Sequence, residues 1–300
     1  MKVKDDNSHN TNKYREKLSI PELYLAFSNS EKFGWKISKI CDSTSETGTF
    51  SLPIIALYNY KQGPAIWIIA GIHGEEPSGP TMLAHNIEYI TKNLKDIPTL
   101  IIPLCNPNGY LLNQRYLYYT ESKTAGIGVG DPDHVLLNEA NEPHKKSATC
   151  YEASKLIDYL LIENQRRPPL LVLDLHEDTD ISKGYIYSQG VDGQQDTYAK
   201  AILKSMEKFV GIAKRGHTRF NENIKDGIIG PVKDISIDEF FAATYIYGGK
   251  TISGELYMMR GIGAKTVLTI ETPAKNIALE KRILAQQNAM YTAIEIMKNL

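Results

Sequence analysis

Short runs with almost no polar side chains constrain the fold of this chain most strongly. Residues 65–71, 99–104 and 170–175 are of this kind, residues 265–270 form a similar run that contains one lysine and two threonines, and glycine or proline lies close to each run. A strand that is apolar on both faces must be covered on both faces, which is typical of sheets in α/β proteins. None of the runs approaches the roughly 20 residues that a membrane-spanning helix needs. The pattern therefore indicates a sheet buried between helices.

Amphipathic stretches alternate with these runs. Residues 77–94, 151–163, 196–210 and 277–297 carry apolar side chains at helical spacing, and Pro77 suits a first helical turn. Residues 50–58 are predicted to form a further strand, 106–109 a turn, 119–147 a long loop and 238–245 a short helix. We predict a single α/β domain over residues 21–300, preceded by a polar segment, 1–20, that forms a loose arm or a surface strap.

Charge and cysteine content exclude several classes of protein. The 34 basic and 35 acidic residues leave a formal net charge of -1. The chain therefore has no excess of positive charge to attract the phosphates of a nucleic acid, and no nucleic-acid partner is expected. Cys41, Cys105 and Cys150 are too widely spaced for a disulfide framework or a cysteine zinc site. The first residues are polar and lack the apolar segment of a signal peptide, so we expect a cytoplasmic protein without a membrane partner, and the alternative is an exported protein whose signal segment has been removed.

Polar clusters directly follow three of the apolar runs, at residues 72–76, 174–178 and 269–273. In open α/β sheets, ligands bind outside the carboxyl ends of the strands, where groups distant in sequence converge. A lone histidine at such a place is more often a hydrogen-bonded structural residue, so only the combination of clusters carries weight.

The combined donor set predicts metal-assisted hydrolysis. His73, Glu76 and His176 are suitable zinc ligands and leave one tetrahedral position for water. Glu271 is placed to accept a proton from that water. Asp174, two residues before His176 on the same side of its strand, either orients that histidine or is a buried structural acid.

These residues resemble the motifs of the zinc carboxypeptidase superfamily, which includes the aspartoacylase and succinylglutamate desuccinylase branch. The resemblance extends from about Pro64 to the C-terminus. His73-Gly74-Glu75-Glu76 is similar to the family's His-x-x-Glu ligand pair, His176 to its third ligand and Glu271 to its general base. Asn106-Pro107 with Gly109, followed by Arg115, is similar to its Asn-Pro turn and oxyanion arginine. Arg115 could also be a surface arginine, and Asn106 either contacts substrate or only forms the turn.

The resemblance implies one Zn²⁺ ion per chain and a three-layer domain with a mixed, mostly parallel sheet of about eight strands flanked by helices. Only 29 residues follow Glu271, and their pattern is that of one helix. The aspartoacylase branch has a further β domain after this point, so the plain carboxypeptidase-like architecture is expected.

The substrate-binding residues depart from the family's pattern. The family grips the substrate carboxylate with an Asn-Arg pair, and the local match here is Asn138 followed by Glu139. An acid at that position would repel a carboxylate, so Arg219 or Arg260 would have to replace the missing charge. Tyr247 is the predicted covering tyrosine, with Tyr245 and Tyr257 as the other candidates.

The sequence therefore predicts a zinc-dependent hydrolase that cleaves an amide bond. Within this class, the prediction is a metallocarboxypeptidase that acts on a peptide or modified peptide. Two alternatives stay open. One is an N-acyl amino acid deacylase or desuccinylase, whose substrate is an acyl amino acid. The other is a catalytically silent metal-binding module, although such a module has no need of a general base.

Overall fold

The structure is a computed structural model of the 300-residue chain. It describes residues 14–45, 48–117, 130–134, 137–139, 142–147, 149–250 and 256–300. For residues 137–139, 142–147, 247–250 and 256–257 it describes the backbone alone.

A ten-stranded mixed sheet forms the centre of the described chain. The strands in chain order are β1 (Lys36–Thr44), β2 (Ser51–Tyr58), β3 (Ala65–Ala70), β4 (Thr99–Ile102), β5 (Leu137–Glu139), β6 (Glu142–Ser147), β7 (Pro169–Asp178), β8 (Tyr185–Ser188), β9 (Arg215–His217), β10 (Asn223–Lys225), β11 (Ile228–Ile229), β12 (Tyr245–Lys250), β13 (Leu256–Arg260) and β14 (Thr266–Pro273). The large sheet has the order β1-β2-β4-β3-β7-β14-β8-β11-β10-β9, whereas β5 with β6 and β12 with β13 form separate hairpins.

Helices cover both faces of the large sheet. They are α1 (Ile20–Ser28), α2 (Ser78–Asn93), α3 (Pro107–Leu112), α4 (Tyr151–Arg166), α5 (Thr197–Val210), α6 (Ile237–Ala242) and α7 (Leu279–Lys298), and two 3₁₀ turns lie at Asn29–Phe33 and Gly193–Gln195. No helix of the described residues has both the length and the apolar composition to cross a bilayer.

The alternation of side chains along β3 explains why its whole sequence is apolar. Ile66 and Ile68 pack into the core formed with α1, α2, α5 and α7, whereas Trp67 and Ile69 pack into the core formed with α4 and α6. Successive side chains of a strand point to opposite faces, so a strand between two helical layers has no place for a solvent-facing side chain. The three-layer architecture predicted from these runs is confirmed.

The strand count and pairing differ from the expectation. The sheet has ten strands rather than about eight. Its central strands β4, β3, β7 and β14 are parallel, as are β8 and β11, but the other five neighbouring pairs are antiparallel. The additional antiparallel strands are short or lie at the edges, where apolar runs are not required, so the sequence pattern did not indicate them.

One segment near the N-terminus also differs from the prediction, and residues 14–20 lie on the surface of the domain as a strap would. Helix α1 begins with a capping box, in which Ser19 and Glu22 bond each other's backbone, although no helix was predicted there. Residues 14–20 contact the domain, since Tyr14 donates to Gln287 Oε1 (2.9 Å) and Tyr110 donates to the carbonyl of Leu18 (2.8 Å). Residues 1–13 of the predicted arm lie outside the described chain.

Candidate metal centre

Strand order brings the three polar clusters to one edge of the sheet. Strands β3, β7 and β14 are parallel neighbours, so their carboxyl ends lie side by side. Glu271 on β14 pairs in register with His176 on β7, and Ala70 at the end of β3 pairs with Leu175. Residues that are about a hundred positions apart in the chain are therefore adjacent in space.

His73, Glu76 and His176 are buried and converge on one point. Their ligand atoms all lie within 4.8 Å of one another. His73 Nδ1 is 2.9 Å from Glu76 Oε1, His176 Nδ1 is 3.1 Å from Glu76 Oε2, and the two Nδ1 atoms are 3.1 Å apart. Two imidazoles and a carboxylate are a donor set that zinc prefers, and one divalent cation would satisfy all these buried atoms together. The residues present therefore fit the metal.

An acid lies beside the second nitrogen of each histidine. His176 Nε2 is 3.2 Å from Asp174 Oδ1, and His73 Nε2 is 3.5 Å from Asp133 Oδ2. Burial opposes the charged form of His176. The carboxylates of Asp174 and Glu76 have the larger combined effect, and they raise the pKa of His176 well above the usual value. Acids in this position fix the tautomer and ring orientation of a metal-ligating histidine. The orienting interpretation of Asp174 is thus the one that its geometry favours.

The backbone around His176 is held by side chains from helix α7. Gln286 Nε2 donates to the carbonyl of His176 at 3.0 Å, and Arg282 forms a salt bridge with Glu177. The Glu177 carboxylate also accepts the backbone N–H of Ser78 (2.9 Å), while its own N–H donates to Glu76 Oε2 (3.0 Å). Burial raises the pKa of Glu177 to about 7, although the charge of Arg282 counteracts it. Glu177 therefore ties both ligand segments to the helices.

Arg115 lies at the same centre because a capped turn holds its backbone. The amide of Asn106 accepts from the N–H of Gly109 (2.8 Å) and donates to the carbonyl of Arg115 (3.1 Å). That carbonyl also accepts the N–H of Gly74, at 3.2 Å, so the turn is bonded directly to the segment between two metal ligands. Asn106 is buried with its amide bonded on both sides, which favours turn formation over substrate contact. The predicted turn is the first turn of α3, with Asn106 as its N-cap.

Arg115 and Glu271 are the two charged side chains next to the three candidate ligands. Arg115 Nη1 lies 3.0 Å from Glu76 Oε1 and 3.5 Å from Glu75 Oε1. Glu271 Oε2 is buried without a hydrogen-bond partner among the described residues. Burial raises the pKa of Glu271 well above its usual value, and the negative charges of Glu76 and Asp178 add to this.

Two neighbouring spaces share these groups as lining residues. A cleft of about 530 Å³ and a side cavity of about 560 Å³ are both lined by Arg115, His176 and Glu271. Phe220 and Arg219, from the turn between β9 and β10, also line both. A molecule in the cleft would thus lie against Glu76, His176, Arg115 and Glu271 at once.

The substrate-binding residues predicted from the sequence are only partly placed. The side chains of Asn138, Glu139 and Tyr247 lie outside the described part of the structure. Sequence reasoning missed Tyr185 and Tyr187 on β8, which line the cleft next to Glu271. No local pattern identifies them, because β8 meets β14 only through the order of strands in the sheet.

Fold and site together define a class: a metallohydrolase with a candidate His-Glu-His metal site at the carboxyl edge of a mixed sheet. Residues 25–292 match the model of the zinc carboxypeptidase family, and the chain belongs to this family. It is a zinc metallopeptidase or a closely related hydrolase, and the family implies peptide-type substrates.

Solved structures agree with the fold. The chain is similar to a candidate metallopeptidase from Shewanella amazonensis (21% identity, 93% of each chain covered, TM-score 0.70). It is also similar to a metallo-carboxypeptidase from Burkholderia cenocepacia (15% identity, 95% of this chain and 70% of the other, TM-score 0.58). A metallo-carboxypeptidase from Pseudomonas aeruginosa is similar over the same shares of the two chains (14% identity, TM-score 0.54). A search of curated protein sequences finds no significant match.

Proposed function

We propose that this protein is a metallocarboxypeptidase. It would hydrolyse the amide bond that joins the C-terminal residue to the rest of a peptide or modified peptide. One observation carries the proposal. His73, Glu76 and His176 converge on one point, and Glu76 and His176 line the same cleft as Glu271 and Arg115. Zinc held by the first three residues would polarise a carbonyl group and lower the pKa of water.

Glu271 is proposed as the general base. Its buried Oε2 has no hydrogen-bond partner among the described residues, so it is available to a water molecule in the cleft. Its register next to His176 places this carboxyl group beside the ligand set, where a bound cation would keep it ionised and able to accept a proton. In the reaction, the carboxylate accepts the proton of the attacking water and returns it to the leaving amine, which regenerates the ionised form.

Arg115 is proposed to stabilise the negative charge that develops on the carbonyl oxygen of the substrate. Its guanidinium lies beside the ligand Glu76, at the edge of the cleft. A fixed cation at that place acts where the charge appears. Arg219 is the candidate for contacting the free carboxylate of the substrate, because it lines both spaces and, among the described residues, forms an ion pair with one acid, Asp180, at 3.5 Å.

A matched panel of substrates tests the proposal. The zinc-loaded protein is incubated with peptides that end in a free carboxylate, with the same peptides ending in an amide, and with N-acyl amino acids. We expect release of the last residue only from the free-carboxylate peptides. Faster hydrolysis of N-acyl amino acids would instead establish the deacylase alternative.

Glu271→Gln is the control for the base. It keeps the shape of the side chain, so the variant should bind zinc with the affinity of the wild type and lose about 10²–10⁴-fold in kcat. A variant with unchanged kcat would refute the assignment of Glu271. A wild-type protein that binds one zinc ion and hydrolyses none of the panel would support the silent metal-binding module.

A further inference from the structure

The segment that precedes α1 contacts two helices that are distant in the chain. We call this segment, residues 14–19, the strap. At one end of it, the hydroxyl of Tyr14 donates to Gln287 Oε1 of α7 at 2.9 Å. At the other end, Lys17 Nζ donates to the carbonyl of Tyr110 in α3 at 2.5 Å. The strap therefore joins α7 to α3.

The strap holds Tyr110 at three points. Besides its bond to the Tyr110 carbonyl, the Lys17 ammonium lies 4.3 Å from the centroid of the Tyr110 ring. The hydroxyl of Tyr110 donates to the carbonyl of Leu18 at 2.8 Å. The Tyr110 carbonyl lies in the last turn of α3, where carbonyl groups lack partners within the helix, so the ammonium completes its bonding. Tyr110 is buried, and its position therefore depends on the strap.

Helix α3 in turn supports the segment that follows the candidate ligand His73. Gly74 packs so closely on α3 that a methyl group there would lie 2.3 Å from Tyr110 N. The N–H of Gly74 also donates to the carbonyl of Arg115 (3.2 Å), which accepts from the Asn106 amide as well. A displacement of Tyr110 would therefore move the backbone at Gly74 and at Arg115.

Helix α7 supports the other candidate histidine. Gln286, the neighbour of Gln287, donates through Nε2 to the carbonyl of His176 at 3.0 Å. One turn earlier in the same helix, Arg282 forms its salt bridge with Glu177. The strap thus connects the helix that holds the His176 segment with the helix that packs on the segment of the first two ligands.

We infer that Tyr14 and Lys17 are positioning residues of the metal centre, because the strap fixes α3 relative to α7 and thereby holds the candidate ligands in place for the metal. Three positions separate the two residues, so the chain between them spans at most about 11 Å and limits the separation of the helices. Residues 14–19 precede α1 and belong to no α-helix or strand of the described chain. A segment held by a few side-chain contacts can detach while the domain stays folded. Detachment would lower the affinity for zinc without unfolding the protein.

Single and double variants of the full chain test the inference. Tyr14→Phe keeps the ring but removes the bond to α7, and Lys17→Met keeps the chain length but removes the ammonium. Each should lower the affinity for zinc by about tenfold in chelator competition, as expected for a supporting contact of a metal site. Release of either end detaches the same strap, so the double variant should lie within about threefold of the weaker single variant. Lys17→Arg keeps the cation and should restore the affinity.

Two variants away from the strap are the controls. Tyr24→Phe removes a bond of the same kind, from a tyrosine hydroxyl to the carbonyl of Pro53 at 2.6 Å. Lys92→Met removes an ammonium that also lies over an aromatic ring, 5.0 Å from the centroid of Phe33. Both should bind zinc with the affinity of the wild type. Unchanged affinity in the strap variants, or losses that multiply to about 100-fold in the double variant, would overturn the inference, because independent contacts add their free energies.

Hydrogen exchange of the metal-free protein detects the same detachment without zinc. The N–H of Gly74 should exchange about tenfold faster in Tyr14→Phe and Lys17→Met than in the wild type, whereas the amides of the central strand β3 should keep their rates. Equal acceleration in β3 would show a general loss of stability and refute the positioning role. If the protein bound no zinc, this comparison would decide by itself. Neither measurement uses a substrate, so the inference and the proposed function are tested separately.

Discussion

The substitution Gly74→Ala should damage the metal centre without touching a ligand. Gly74 lies between His73 and Glu76, against the backbone of the turn that precedes Arg115. A methyl group on Gly74 would lie 2.0 Å from the carbonyl carbon of Gly109, 2.3 Å from Tyr110 N and 2.5 Å from Gly109 Cα. All three atoms belong to the backbone, so no side chain can rotate away.

The size of the clash gives the size of the effect. Ordinary contact begins at 3.4 Å, so the two segments must separate by about 1.4 Å from the 2.0 Å approach. Overpacking of this kind costs about 1–3 kcal/mol of unfolding free energy. A displacement of about 1 Å in a catalytic constellation costs about 10²-fold in rate. The bond from Gly74 N to the Arg115 carbonyl, 3.2 Å, would break in the same movement.

We therefore expect Gly74→Ala to lower kcat/KM by about 100-fold and the affinity for zinc by about 10–100-fold. Chelator competition measures the affinity, and urea unfolding measures the stability. Gly230→Ala is the control, because its methyl group would lie at an ordinary 3.4 Å from Gln194 Cγ. If Gly74→Ala bound zinc and turned over substrate as the control does, the close packing of Gly74 against the Gly109–Tyr110 backbone would be refuted.

Three further predictions concern the neighbours of the centre. Arg115→Met should retain zinc but lose about 10²–10³-fold in kcat, as expected for a lost oxyanion contact; an unchanged kcat in steady-state assays would argue against that role. Arg282→Met leaves the buried carboxylate of Glu177 without its cation and should cost about 3 kcal/mol of unfolding free energy in urea; a loss below about 1 kcal/mol would contradict the burial of the pair. His134 has its pKa raised from 6.5 to about 9 despite burial, because it bonds Asp131. Its stabilisation is thus complete below pH 6.5 and lost as the pH rises to about 9, and at most about 3 kcal/mol is involved. The stability difference between wild type and His134→Gln should shrink over that window, and a constant difference in unfolding free energy would refute the assignment.

Local pattern predicted the central elements closely. The predicted strand at 65–71 is Ala65–Ala70, and the predicted helices at 77–94 and 196–210 are Ser78–Asn93 and Thr197–Val210. These elements are buried in the middle of the molecule, where every strand position must be apolar and every helix has one apolar stripe. Strand β1, with its mixed burial at the sheet edge, and the exposed β9 lack that constraint. They were not predicted because their positions depend on pairing rather than on burial.

The sequence by itself determined which groups could form the metal centre, because the candidate ligands His73, Glu76 and His176 and the candidate base Glu271 each lie at the end of an apolar run that had to be a central strand. Only the tertiary structure decided which atoms meet. The burial of Glu177 beneath Arg282 and the bonds of the strap to α3 and α7 follow from contacts between segments far apart in the chain. Side-chain type and spacing carry information about burial, whereas strand order and helix packing set the distances on which coordination and specificity depend.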